Sequence, residues 1–234
     1  MGAPPCGKVQ KMTDILNLSG MYDGYDLSSF GEIRFIELKD LSGTRLYIDK
    51  DSEEIIKEKI RGSHSLIHLI DTGDHHYITR LYLHNIKEAF DLLVFDNHDD
   101  SQEPVIEGMK SCGSWIRDAM SEFPDTLSAV KLIQGRDRIS LLKGTFDGKR
   151  PLYVSIDKDV LSPDVCPTDW DQGDMGIEDL KELLLSEGKG REIKGFDICG
   201  GVKGDGILYR EEVLKNRETD LKLIAFLREM YSLC

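Results

Sequence analysis

Two apolar runs of strand length, Phe90-Asp91-Leu92-Leu93-Val94-Phe95 and Pro151-Leu152-Tyr153-Val154, each lead straight into a cluster of acids. Runs of this kind read as buried strands of a parallel sheet, and open α/β sheets place their sites where such strands end. Periodicity predicts helices over 51–61, 77–88, 114–122, 176–187 and within 209–231. Further strands are expected over 65–70, 130–134 and 193–198, with 32–38 as an edge strand. This alternation implies a three-layer α/β/α domain with a mainly parallel sheet. The 234 residues hold no Pro-, Gly- or Ser-rich linker, so 1–234 reads as a single domain with 1–11 as a loose tail.

Three short segments carry the chemistry: Gly73-Asp74-His75, Asp96-Asn97-His98-Asp99-Asp100 and Ser155-Ile156-Asp157-Lys158-Asp159. In an extended segment alternate side chains share a face, which sets Asp96, His98 and Asp100 together and aligns Asp157 with Asp159. With His75 they supply two imidazoles and four carboxylates and no thiolate. That set is too large for one tetrahedral zinc and suits a pair of hard or borderline divalent ions. Four carboxylates balance the charge of two such ions, so metal is expected to stabilise the fold. Singly, each segment has a plainer reading. An Asp-x-Asp after a strand is common in turns, and Asp74 can cap a helix starting near Tyr77. The joint occurrence of the three segments is what points to a metal site.

The same segments resemble the arginase, agmatinase and formimidoylglutamase family, whose fold is shared with the histone deacetylases. The family patterns GGDH, DAHxD and S-F-D-x-D-x-x-D-P read here Thr72-Gly73-Asp74-His75, Asp96-Asn97-His98-Asp99-Asp100 and Ser155-Ile156-Asp157-Lys158-Asp159-Val160-Leu161-Ser162-Pro163. Ser162 stands where the third pattern has its last Asp, and the match runs roughly from residue 65 to 200. The resemblance implies an arginase-deacetylase fold and two Mn2+ ions. His75 and Asp100 would complete one site, His98 and Asp159 the other, and Asp96 and Asp157 would bridge them. It also implies hydrolysis of a non-peptide carbon–nitrogen bond (amidine, ureide or linear amide) in a small molecule.

Two departures from the family bear on substrate. The family's proton-shuttle histidine falls at Ser111-Cys112-Gly113-Ser114, where Cys112 replaces it, and His98 is the last histidine in the chain. The Glu that binds guanidinium aligns with Gly200 of Asp197-Ile198-Cys199-Gly200. Arginase or agmatinase activity itself is therefore not expected. The alternatives are a deacetylase-like amide hydrolase with one metal and a non-catalytic homologue that keeps its metals for stability.

Cys112, Cys166 and Cys199 lie near strand ends, where a thiol can serve as acid, base or nucleophile; equally, free cysteines are often small buried apolar groups. In the loop Thr168-Asp169-Trp170-Asp171-Gln172-Gly173-Asp174, Asp171 is the expected substrate contact and Trp170 a pocket wall, with Asp174 as a possible helix cap. His64 and His68 read as packed or surface groups, Arg136 and Arg138 as a solvated pair. Leu221, Leu223, Phe226, Leu227 and Tyr231 form a core-facing stripe. The net charge of −13 disfavours nucleic acid and anionic membrane as partners. No membrane span or signal-peptide pattern is present, and five cysteines without paired spacing fit reduced thiols, so cytoplasmic residence is the expectation. The sequence gives no oligomeric state.

Overall fold

The computed structural model describes residues 12–104, 108–203 and 210–232; the expected loose tail at 1–11 lies outside them. In chain order the strands are β1 (Thr13–Asn17), β2 (Ile33–Glu37), β3 (Tyr47–Ile48), β4 (Ile67–Ile70), β5 (Phe90–Phe95), β6 (Lys110–Ser111), β7 (Leu127–Gly135), β8 (Arg138–Lys143), β9 (Leu152–Asp157) and β10 (Ile193–Cys199). The helices are α1 (Lys50–Ile60), α2 (Thr79–Leu83), α3 (Trp115–Glu122), α4 (Ile177–Gly188) and α5 (Arg210–Ser232). Eight strands form one sheet in the order β2-β1-β4-β10-β9-β5-β7-β8, parallel throughout except for the β7–β8 pair. β3 and β6 make a separate antiparallel ribbon.

Strand period explains the layers. In β5, Leu93 and Phe95 point into one core with Leu180 and Leu184 of α4 and Leu223, Ile224 and Leu227 of α5. Leu92 and Val94 point into the other, against Ile56 of α1, Leu81 of α2 and Trp115 of α3. The three-layer expectation is met. Within the expected C-terminal stripe, Leu223 and Leu227 are fully buried and Leu221 and Phe226 half-buried; the Tyr231 side chain lies outside the described ones.

Other expectations need correction. The helix expected over 77–88 is a 3-10 turn, Gly73–Ile78, followed by the five residues of α2. β1 and β8 were not expected. β1 carries Asp14, buried because Arg34, Ser63 and Ser65 all reach its carboxylate, so its strand pattern depends on distant partners. β8 is an exposed antiparallel edge without a buried apolar run. Arg136 and Arg138 are, by contrast, both exposed, as expected. Arg136 binds Asp179 and Glu182 of α4, and Arg138 donates to the Gln134 carbonyl. Asp174 does not cap α4, whose N-cap is Gly176 with no side-chain cap bond.

Candidate metal centre

β9 and β5 are neighbours in the middle of the sheet, and both end at the same edge. Past Phe95, Asp96, His98 and Asp100 line a cavity of about 270 Å³, while the Asn97 amide donates to the Asp171 carbonyl (3.0 Å) and Asp99 is exposed. Asp100 holds a left-handed φ of 39°, a conformation costly for a residue with a Cβ and found where a site demands it. β9 runs three residues further than its apolar stretch, to Asp157. The Asp157 carboxylate accepts from the Asp159 amide (3.0 Å), which tightens Lys158–Val160 into a 3-10 turn and turns Asp159 toward His98. His98 Nδ1 then lies 2.7 Å from Asp159 Oδ2 and 3.6 Å from Asp96 Oδ1. Backbone amides fix these acids: His98 N donates to Asp96 Oδ1 (2.7 Å) and Asn97 N to Asp159 Oδ1 (2.9 Å).

The second imidazole comes from His76 and not from His75. His76 Nδ1 is 3.2 Å from Asp96 Oδ2 and 3.3 Å from both Asp100 Oδ2 and Asp157 Oδ2. The His75 ring turns away, its Nδ1 3.3 Å from Thr72 Oγ1 and 3.6 Å from Asp71 Oδ1. In a 3-10 turn successive side chains diverge by about 120°, so adjacent histidines cannot both face one point. Asp74 does not cap this turn, whose N-cap is Thr72; its carboxylate meets Arg45 and Trp170. Thus Asp96, His98, Asp100, Asp157 and Asp159 come together as expected, and His76 stands where His75 was expected. The His75-His76 doublet was visible in the sequence, but nothing local says which ring turns inward.

His76 Nδ1 and Asp96 Oδ2 are both buried without a hydrogen-bond partner. Buried polar atoms left this way are costly, and here both aim at the point where three carboxylates meet. The donor atoms fall into two groups, His76/Asp96/Asp100 and Asp96/His98/Asp159, each within 4.8 Å and joined through Asp96. An oxygen-rich set with one imidazole per group suits divalent cations of the Mn2+ kind. Two further residues steady the donors. Ser155 Oγ lies 2.8 Å from His76 Nε2, the arrangement that leaves Nδ1 free to act as a donor toward the centre. Trp115 Nε1 donates to Asp100 Oδ2 (2.9 Å), with its ring 4.7 Å from that of His76.

Burial and the Asp96 charge push Asp100 up to about 7. Burial, Asp159 and Asp96 drive Asp157 well above the carboxylate range. Hydrogen bonding to Asp159 and Asp96 holds His98 up at about 11. Burial leads for the two carboxyls and the facing carboxylates lead for His98, and the crowding of negative charge adds to all three shifts.

Among the other expected site residues, Cys112 lines the cavity, and burial with the Asp100 and Asp74 charges pushes its thiol up to about 12. Cys166 is wholly buried in the core on the α4/α5 side. The Cys199 thiol donates to the Ile70 (3.1 Å) and Thr72 (3.3 Å) carbonyls, so both are small packed groups. Trp170 walls the cavity as expected. Asp171 does not line it: the Asn97 amide holds its carbonyl inward and the residue is exposed. His68 is packed against the Tyr82 ring and bonded to Asp197, and His64 is exposed.

With this geometry in hand, comparison with solved structures is decisive for the architecture. A hypothetical agmatinase from Burkholderia thailandensis superposes with a TM-score of 0.61 at 15% identity, covering 94% of this chain and 86% of that one. The proclavaminate amidino hydrolase of Streptomyces clavuligerus gives 0.61 at 17% identity, covering 94% and 91%. The formiminoglutamase of Trypanosoma cruzi, solved with Mn2+, gives 0.62 at 10% identity, covering 94% and 93%. The chain has the ureohydrolase fold. Within that fold it belongs to one family with an uncharacterized protein of Thermotoga maritima, 34% identical over 198 residues that cover 80% of this chain and 78% of the other. No protein-family model matches it. Among the described residues of this ureohydrolase-fold protein, no helix is long and apolar enough to cross a membrane.

Proposed function

We propose that this protein is a metal-dependent hydrolase of a non-peptide carbon–nitrogen bond in a small molecule, built around two divalent ions, Mn2+ by the family resemblance. The observation that carries the reading is the buried His76 Nδ1, which makes no well-aligned hydrogen bond yet lies 3.2–3.3 Å from carboxylate oxygens of Asp96, Asp100 and Asp157 at once. His76 and Asp100 would hold one ion, His98 and Asp159 the other, with Asp96 and Asp157 between them. Ions bound there would supply Lewis acidity toward water and toward the substrate's carbon–nitrogen centre.

The chain's own residues have separate tasks. Ser155 holds the His76 ring through Nε2, and Trp115 holds Asp100. Cys112 presents a thiol in the wall of the same cavity, where it is placed to give a proton to a leaving nitrogen.

The test is metal content by mass spectrometry after Mn2+ saturation and desalting. About two ions per chain are expected, the number this donor set suits, with sharp losses in Asp96→Asn and Asp157→Asn. One ion would favour the deacetylase-like reading, and none would sink the proposal. Full occupancy with no turnover on amidines, ureides and amides would leave the non-catalytic homologue. A Cys112→Ala variant with full turnover would remove the thiol from the reaction.

A further inference from the structure

The walls of the cavity differ in character from its floor. Leu46, Tyr47 and Trp170 face it as hydrocarbon and aromatic surface, and Gln102, Ser111 and Cys112 as neutral polar groups. Apart from the proposed metal ligands, the one ionised residue lining it among the described residues is Glu103, which is ion-paired to Arg117 and whose side chain is 76% exposed.

Trp170 is fixed in place from several sides. Its Nε1 donates to Asp74 Oδ1 (3.2 Å), and its ring stands edge-on to His98 with centroids 5.6 Å apart. Arg45 Nε occupies the other Asp74 oxygen (3.0 Å), so that carboxylate is already engaged at the rim. Gly73 makes room for the indole, since a Cβ there would lie 2.8 Å from Trp170 Cδ1. Asp169, one residue earlier, accepts from the Lys203 amide (3.1 Å) and ties the loop down. Nor can a carboxylate enter from residue 200. Gly200 has φ +82°, and a Cβ on it would lie 2.1 Å from Asp157 Oδ1.

A buried cation needs a counter-charge, and leaving one unpaired is far more costly than burying a neutral amide that keeps its hydrogen bonds. Resting on the hydrolase reading above, we propose that the scissile group is uncharged, a ureide or carboxamide carried on a flat or apolar body that lies against Trp170 and Tyr47. For an amide the balance is simple: water adds to the carbonyl carbon, the carbon–nitrogen bond breaks, and the nitrogen leaves with a proton, giving a carboxylic acid and an amine. Trp170 is then the residue that sets specificity.

Benzylurea and benzylguanidinium test this, because they share a body and differ at the head group chiefly in charge. Binding to the Mn2+-loaded protein is read by isothermal titration calorimetry, which serves the wild type and the Trp170 variant alike. Benzylurea should bind at least ~10-fold more tightly, and Trp170→Ala should weaken it by ~10-fold with metal content unchanged. Equal or tighter binding of the guanidinium would overturn the proposal, as would failure of both compounds to bind a fully metallated protein at millimolar concentration. If the preference persists in protein that takes up no Mn2+, the inference about the walls stands and the metal reading fails.

Discussion

Lys158 lies between two of the proposed ligands, yet its side chain runs the opposite way, into the core. It is 1% exposed, with Nζ 2.6 Å from Asp220 Oδ1 on α5 and in contact with Asn216 Oδ1. Burial, the largest single influence, would lower its pKa, but the charge and hydrogen bond of Asp220, with smaller contributions from Cys166 and Cys199, together hold it above the ordinary lysine value. Asn216 also donates to the Pro167 carbonyl and Thr219 to the Val165 carbonyl (3.2 Å), so α5 grips the loop that follows β9 at three places. Replacing Asp220 with Leu leaves a buried ammonium uncompensated, a loss of about 4 kcal/mol. At roughly 2–4 °C per kcal/mol for a chain of this length, Tm should fall by about 8–16 °C. Lys158→Met with Asp220→Leu removes both charges and should recover to within about 1–2 kcal/mol of wild type. Urea unfolding followed by circular dichroism, run with all three single and double variants, yields the coupling energy. An Asp220→Leu loss below about 1 kcal/mol, or a double variant as unstable as the two singles summed, would refute the claim that this pair holds the loop.

The choice of imidazole is tested by Mn2+ titration: His76→Ala should lose uptake at the site it serves while His75→Ala keeps it, and Ser155→Ala should weaken affinity by about 10–100-fold. Equal losses in both histidine variants would contradict the geometry. Restoring the family's glutamate with Gly200→Glu should not create guanidinium hydrolysis. Its Cβ meets Asp157 and its backbone is left-handed, so a loss of about 1–3 kcal/mol or more in thermal unfolding is expected instead. Acid stability follows from Asp14. Burial works against its charge, but hydrogen bonds from Arg34, Ser65 and Ser63 hold its pKa below the ordinary value of 3.8. A depressed carboxylate contributes its stability above the unfolded-state pKa and loses it as pH falls through the folded one, so the decline belongs below about pH 4. Asp14→Asn should be less stable at neutral pH and show a shallower acid limb; an unchanged acid limb would count against the assignment.

The family motifs lie mostly where strands end, and that much is local. Apolar runs such as Phe90–Phe95 declare a buried parallel strand, and acids placed just beyond it have nowhere to go but the sheet edge. Five of the six donors were legible for that reason. His76 was not, because both rings of the doublet satisfy the sequence pattern and the pitch of a 3-10 turn selects between them. Asp171 was misread on similar grounds: its acidic side chain suggested a contact, but a hydrogen bond from Asn97 to its carbonyl fixes the loop with that residue outward. β1 escaped because Asp14 breaks an apolar pattern and is made tolerable only by Arg34, Ser63 and Ser65 from elsewhere in the chain. The sequence by itself determined the layer architecture and the kind of donors at the site, since periodicity and residue chemistry are properties of short segments. Tertiary structure alone decided which histidine turns inward, that Lys158 is anchored by α5, and that Gly200 leaves no space for a carboxylate. Each of these depends on atoms brought close by folding and far apart along the chain.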